Sequence, residues 1–388
     1  MFNPRFVSTP GSGYNNLIIL MQLLTKPNID KLSGKRITKE EAIDLYLNAD
    51  LLELGDLANQ VRQKYHPDSK PVTFIIDRNI NYTNVCTAAC RFCAFAFWPG
   101  DKRTYTNSYE IIHEKTKELV GLGGTQLLLQ GGHNPELGIE YYEDLFKRLK
   151  NDFPHITLHA LSPSEIDHIC NISKLDTEAV LKRLINAGLN SIPGGGAEIL
   201  VDRVRDIISP LKIKSDRWLE VMEVAHRLDV KTTATMMFGH AETPRERIEH
   251  MDKIRQLQDK TDGFTAFISW TFQKENNPLG RELDGKGLPW QAPTSLDYLR
   301  TLAISRIYLD NVINFQSSWV TQGIKIGQIA LAFGANDMGG TMLEENVVSA
   351  AGTSCPTSME EIIHAIHATG RDAAQRDTQY NVIKVIPL

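Results

Sequence analysis

The 388-residue chain is poor in cysteine, in long apolar runs and in excess charge of one sign. Its five cysteines, an odd number, do not form a disulfide framework and favour a reducing, cytoplasmic setting. The apolar run at residues 17–24 contains Gln22 and is too short to span a bilayer, so no membrane anchor is expected there. A net charge of −5 gives no electrostatic argument for a nucleic-acid or anionic-membrane partner.

From Pro71 onward, apolar or β-branched runs alternate with helical patterns, which predicts parallel βαβ units. About eight such units predict a single α/β domain over residues 34–388, folded as a TIM-type (β/α)8 barrel. Two helices at 38–64 form a predicted N-terminal helical cap, and residues 1–33 a partly flexible extension. The expected strands are 72–80, 125–132, 156–162, 190–194, 231–239, 264–272, 312–319 and about 329–335, and the last two helices are near 321–331 and 358–369.

Three cysteines, Cys86, Cys90 and Cys93, follow the first predicted strand within eight residues. One loop can wrap a metal centre with three thiolates, but closed zinc sites and electron-transfer clusters normally use four ligands. Three interpretations are open on spacing alone. They are a 4Fe–4S cluster with one open iron, a zinc site completed by a distant histidine, and cysteines that only pack. The position of the loop at the mouth of a barrel, where active sites of this fold lie, favours the cluster.

The C-x3-C-x2-C loop, with the aromatic Phe92 before its last cysteine, resembles the signature of radical S-adenosylmethionine (SAM) enzymes. This resemblance implies that the three thiolates bind a 4Fe–4S cluster and that SAM chelates the open iron. It also implies a radical derived from SAM that removes hydrogen from a small-molecule substrate, and a one-electron donor such as flavodoxin or ferredoxin. Such cofactors carry the radical chemistry while the protein orients the substrate.

Further segments resemble the SAM-binding elements of that superfamily. Gly131 and Gly132 match a Gly-Gly-Glu stretch, although His133 stands where Glu is usual. Gly239 and Glu242 match the strand-five element, in which Met237 occupies the position that packs on adenine. Methionines in strands are also common core residues. The resemblance implies SAM contacts from Phe92, Gln130, Gly131, Gly132, Ser162, Glu198, Arg205, Met237 and Glu242.

Longer stretches resemble one subgroup of the superfamily, which contains the radical enzymes of the futalosine route to menaquinone and the halves of the deazaflavin-forming FO synthase. The segments that resemble the subgroup are 77–84, 334–337 and 341–346. Within the subgroup, segments 232–240, 264–268, 270–273, 318–323 and 375–378 are similar to a cyclase, which implies a ribose-bearing, nucleoside-derived substrate with a benzoate ring. Ring closure would follow removal of the ribose C4′ hydrogen. The alternatives are a sister synthase of the subgroup and, from another class, a non-catalytic cluster carrier.

Two roles in such a reaction need side chains of their own. Restoring the aromatic ring requires a base, for which His240 is the first candidate, followed by His133 and Asp337. The benzoate carboxylate requires a cationic or amide partner. Arg306, Lys325 and Gln322 are the candidates for this second role.

Overall fold

The structure is a computed structural model that describes residues 35–285, 290–353, 355 and 357–388. The expected extension at 1–33 lies outside these residues. Within them, no helix is long and apolar enough to cross a membrane.

Strands and helices alternate along most of the described chain. The strands are β1 (Val72–Ile75), β2 (Asp77–Ile80), β3 (Gln126–Leu129), β4 (Thr157–Ala160), β5 (Ser191–Ile192), β6 (Lys231–Phe238), β7 (Phe264–Thr271), β8 (Asn314–Gln316), β9 (Asp337–Gly340), β10 (Ala373–Arg376) and β11 (Val382–Ile386). The helices are α1 (Lys39–Asn48), α2 (Leu51–Tyr65), α3 (Tyr109–Gly121), α4 (Ile139–Asp152), α5 (Pro163–Ser173), α6 (Thr177–Ala187), α7 (Asp202–Ile208), α8 (Ser215–Arg227), α9 (Pro244–Thr261), α10 (Pro278–Gly285), α11 (Ser295–Tyr308), α12 (Trp319–Gln322), α13 (Ile324–Ala330), α14 (Val347–Ala350) and α15 (Met359–His367).

The strands form one curled, mostly parallel sheet in the order β11-β10-β1-β9-β8-β7-β6-β5-β4-β3-β2. β1 and β2 are the two halves of the first predicted strand, and they pair with β9 and β3 respectively. The carbonyl of Ile75 accepts the N–H of Thr341 at 3.0 Å, and the carbonyl of Ile76 accepts that of Thr125 at 3.1 Å. Residues 72–80 therefore pair with β9 through β1 and with β3 through β2, and the TIM-like α/β architecture is confirmed.

The prediction of the last strand was wrong. Most of the apolar stretch predicted at 329–335 continues the helix α13 or forms the turn after it, and the eighth parallel strand is β9. A short buried apolar run has no periodicity that separates strand from helix, whereas the glycines of β9 are typical of a turn. The antiparallel pair β10 and β11, which extends the sheet beyond β1, was not predicted.

The helical cap begins with strong sequence signals. Thr38 and Glu41 form a capping box at the start of α1, and the carboxylate of Asp50 accepts two N–H groups at the start of α2. The Tyr46 hydroxyl then lies 3.0 Å from the Thr301 hydroxyl, which attaches α1 to α11. The two cap helices thus pack on the outer helices and leave the strand ends free for a site.

Candidate active site

The cysteine loop, residues 81–108, connects β2 to α3 and is fixed by its own backbone. The N–H of Cys86 donates to the Phe97 carbonyl, and the N–H of Phe97 donates to the Asn84 carbonyl, each at 2.9 Å. Ala89 has φ +47°, a left-handed conformation that turns the chain between Cys86 and Cys90. The three thiols are therefore carried on an ordered segment.

The three thiols are half-buried and lie beside one cation. Burial raises the pKa of Cys90 to about 12, and the nearby Lys212 ammonium opposes that shift. The Lys212 Nζ atom is 5.6 Å from the centroid of the Phe92 ring. In the described part of the chain, no three His, Cys, Asp or Glu side chains, the three loop thiols included, converge on a single metal ion.

Gly131 and Gly132 pass directly behind this loop. A Cβ atom on Gly132 would lie 2.0 Å from the Val85 carbonyl oxygen, and one on Gly131 would lie 2.6 Å from the Tyr82 ring. Only glycine fits such close approaches. The N–H of Gly131 donates to Glu165 Oε1 at 2.9 Å, so a carboxylate absent from the predicted site positions this segment.

Ser162 and His133 are held by α5. The Ser162 hydroxyl accepts the N–H of Glu165 in a capping box, which is a structural use of a predicted SAM contact. His133 Nε2 is 3.0 Å from the Ser164 hydroxyl, and its ring stacks on His168. Burial, with Lys212 and His168 nearby, lowers the pKa of His133 to about 3. His133 is therefore neutral near pH 7 and does not line the central cavity.

A cavity of about 300 Å³ lies inside the barrel, at the lower end of the size range of small-molecule sites. Gln130 and Glu198 are the predicted site residues that line it. Much of the rest of its polar wall was not predicted as site. That wall includes Asp77, Asn79, Gln126, His159, Gln316, Arg376, Thr378 and Tyr380.

Glu198 connects the cavity to the cysteine loop. Its Oε1 atom is 3.0 Å from Lys212 Nζ, while its buried Oε2 atom lies 3.6 Å from Arg205 Nη1 and accepts no hydrogen bond. Arg205 is fully buried and donates to the carbonyls of Gly196, Ala197 and Ile213. Arg205 thus supports the loop that presents Glu198, and a direct SAM contact from it stays a prediction that this geometry does not support.

The residues after strand β6 form a closed network. Glu242 accepts the N–H groups of Gly239 at 2.6 Å and His240 at 3.0 Å, and it pairs with Arg247 at 2.7 Å. Burial alone would raise the pKa of Glu242, but His240, Arg247 and the Gly239 N–H hold it well below its usual range. Met237 is buried in the core. The network shapes the loop after β6, and neither Met237 nor Glu242 lines the cavity.

Both ring nitrogens of His240, the first candidate for the base, have partners in β6 or in the loop after it. Nε2 lies 3.0 Å from the Met237 carbonyl, and Nδ1 lies 2.7 Å from the Ala241 nitrogen and 3.0 Å from Glu242 Oε2. The side chain has no exposed surface and does not line the cavity. This geometry does not support His240 as the base.

The carboxylate of Asp337 is also occupied by hydrogen bonds within the protein. Arg376 donates to both of its carboxylate oxygens, at 2.6 and 2.9 Å, and Thr73 and the Gly339 N–H donate to it as well. Arg376 itself lines the cavity and lies 3.8 Å from the centroid of the Tyr380 ring. Asp337 therefore orients Arg376 and is not free to act as a base.

The candidates for the benzoate carboxylate are placed elsewhere. Arg306 is fully buried and donates to the Ile313 carbonyl at 2.8 Å, at the amino end of β8, so the prediction for it was wrong. Lys325 is exposed, and Gln322 donates to the Thr271 hydroxyl at 2.7 Å. None of the three lines the cavity.

Comparison with known proteins agrees with this arrangement. Residues 80–254 match the family described as the Radical SAM superfamily, and residues 261–387 match the CofH/MqnC C-terminal region. The chain is 48% identical, over 93% of its length and 89% of the relative, to the cyclic dehypoxanthine futalosine synthase of Streptomyces coelicolor. The chain belongs to the radical SAM superfamily. It is accordingly an enzyme that acts on a small-molecule substrate.

Other relatives of this radical SAM enzyme have different names. It is 44% identical, over 89% of its length and 96% of the relative, to the 5-amino-6-(D-ribitylamino)uracil–L-tyrosine 4-hydroxyphenyl transferase of Methanococcoides burtonii. It is 38% identical, over 91% of its length and 94% of the relative, to the aminodeoxyfutalosine synthase of Thermus thermophilus. Among solved structures, methylornithine synthase matches with a TM-score of 0.67 and 18% identity, covering 89% of this chain and 97% of that one. That likeness supports the fold alone.

Proposed function

We propose that this radical SAM enzyme converts dehypoxanthine futalosine into cyclic dehypoxanthine futalosine, a step of menaquinone biosynthesis, by joining ribose C4′ to the benzoate ring. The observation that carries the proposal is the 48% identity to the Streptomyces coelicolor synthase over 93% of the chain. A second candidate is one of the sister reactions, aminofutalosine synthesis or half of FO synthesis, because the identity to the relatives with other names reaches 44%.

The cluster is assigned to Cys86, Cys90 and Cys93. Three thiols on one ordered loop are the donor set of a cluster whose fourth iron has no protein thiolate. When bound, the cluster and SAM would supply a 5′-deoxyadenosyl radical that removes the C4′ hydrogen. An external one-electron donor such as flavodoxin or ferredoxin belongs to this proposal.

SAM would lie between the cysteine loop and the cavity. The Oε2 atom of Glu198 lies 3.6 Å from Arg205 Nη1 but accepts no hydrogen bond, so it is an acceptor for a hydroxyl or ammonium group, and Gln130 lies on the same wall. Phe92 would cover the cluster side, where Lys212 already approaches its ring. Gly131 and Gly132 allow the backbone behind the cluster to come close. The SAM contacts of Ser162, Met237, Arg205 and Glu242 are better described as support of these loops.

The chain must also orient the substrate and keep water away from it. Trp270, Trp319 and Ile268 give the cavity an apolar side, opposite the polar residues of β2 and β10. A pocket with two such sides can align a sugar and an aromatic ring, and alignment of reacting groups is worth several kcal/mol.

Activity assays with each candidate substrate test the proposal. The anaerobically reconstituted enzyme, with iron and sulfide content measured first, is incubated with SAM, a reductant and each candidate substrate. The proposal expects turnover of dehypoxanthine futalosine to a product with two hydrogen atoms fewer. Turnover of only a sister substrate would contradict it and favour the second candidate.

A further inference from the structure

One wall of the cavity has more hydrogen-bonding capacity than the protein uses. Asp77 and Asn79 are two residues apart on β2, so their side chains share the face that lines the cavity. They are 3% and 4% exposed. The Oδ1 atom of Asn79 and the hydroxyl of Thr378, on the same cavity, have no hydrogen-bond partner among the described residues. Buried polar atoms without partners are rare and costly, and because these two line a cavity, a ligand in that cavity can satisfy them.

The carboxylate of Asp77 also has spare acceptor capacity. It accepts the Met342 N–H at 3.1 Å and the Gln126 amide at 3.4 Å. A carboxylate offers about four acceptor sites, so several remain. Burial raises the pKa of Asp77 to about 6, because these bonds and the nearby Arg376 do not fully offset its desolvation.

The charges of this wall select the kind of ligand. Arg376 is the one Lys or Arg among the described lining residues, and Asp337 already pairs with it through two hydrogen bonds. With Asp77 ionised, two carboxylates face one guanidinium. A further anion is unfavourable there, whereas a neutral group that donates hydrogen bonds is favourable.

We propose that Asp77 and Asn79 bind hydroxyl groups of the substrate's sugar and so fix which sugar carbon faces SAM. This inference rests on the proposed function, which supplies a substrate with a ribose. Its consequence is that the benzoate carboxylate points away from β2. The subsite is then a determinant of specificity for hydroxylated over deoxygenated substrates.

The binding of dehypoxanthine futalosine to the reconstituted holoenzyme tests the subsite. SAM is present and reductant absent, so that no turnover occurs during calorimetry. Asn79→Leu, which keeps a similar volume, should weaken binding about tenfold, the loss expected for hydrogen bonds to a buried amide. Ser269→Ala is the matched control. Its hydroxyl is buried without a partner on β7, but Ser269 does not line the cavity, and the control should bind like the wild type.

Analogues of the substrate that lack one ribose hydroxyl complete the test. The wild type should bind at least one deoxy analogue about tenfold more weakly, and Asn79→Leu should lose much of that discrimination. Two results would overturn the subsite alone. One is that the wild type binds dehypoxanthine futalosine and every deoxy analogue equally well. The other is that Asn79→Leu binds dehypoxanthine futalosine, and discriminates against the deoxy analogues, as the wild type does. Absence of any binding of dehypoxanthine futalosine to the wild type would overturn the proposed function as well.

Discussion

Replacing Asp77 by Asn should stabilise the protein at neutral and alkaline pH. The side chain is buried, and its pKa is raised from 3.8 to about 6 mainly by desolvation, with Asp337 acting in the same direction and Arg376 opposing it. In the unfolded chain the carboxyl group loses its proton first. The stability of the wild type therefore falls as pH rises from about 4 to about 6, and it stays lower above that range.

The size of the effect follows from the shift. A change of about 2 pKa units corresponds to about 3 kcal/mol of unfolding free energy at high pH. About half of this cost is already present at pH 5, so the advantage of Asp77→Asn should grow by roughly 1.5 kcal/mol between pH 5 and pH 8. Asn can still accept the Met342 N–H, so little else changes.

Urea unfolding of the anaerobically reconstituted proteins, followed by circular dichroism at pH 5 and pH 8, measures this difference. Contributions of other titrating groups cancel when the variant is compared with the wild type. A constant difference between the two pH values, or a variant that loses stability relative to the wild type as pH rises, would refute the reasoning. The same variant should bind dehypoxanthine futalosine more weakly, because an active-site carboxylate is kept at a cost in stability.

Three further predictions concern the rest of the site. Replacing any one of the loop cysteines by Ala should abolish 5′-deoxyadenosine formation from SAM, and cleavage by a cluster-free variant would contradict the cluster assignment. Lys212→Met should lower the thermal midpoint, because it leaves the buried Glu198 carboxylate without its main cation, which costs roughly 3–5 kcal/mol of unfolding free energy. Lys212→Arg keeps a cation there and should lose less stability. Equal losses of stability in the two variants would contradict this prediction. His240→Gln should leave the ratio of product to 5′-deoxyadenosine unchanged, because the ring already bonds the Met237 carbonyl; a fall in that ratio would restore His240 as the base.

Local signals in the sequence predicted the parts of the site that depend on local spacing. The thiols at 86, 90 and 93 and the glycines behind them needed no knowledge of distant contacts. The polar wall could not be predicted in this way, because its members meet through pairings far apart in sequence. Asp77 accepts the N–H of Met342, and Asp337 fixes Arg376 from a different strand.

The strands of the fold also differ in how well local sequence patterns predict them. Strong alternation gave the parallel strands up to β8, since their apolar runs are flanked by clear helices. β9 contains aspartate and two glycines and β10 contains two alanines, residues with weak strand propensity, and both strands pair with β1, one on each side. The role of His240 as the base stays a prediction: a histidine after a strand is well placed for catalysis, whereas the contacts of its ring with Met237, Ala241 and Glu242 depend on the folded loop.

The most direct test of the account is the fate of the C4′ hydrogen. The reconstituted enzyme is incubated anaerobically with SAM, reductant and dehypoxanthine futalosine that carries deuterium at C4′. The masses of the products are then measured by mass spectrometry. Deuterium is expected in 5′-deoxyadenosine, and none at C4′ of a cyclised product. Cyclised product alongside unlabelled 5′-deoxyadenosine, or 5′-deoxyadenosine with the labelled substrate left intact, would contradict this expectation.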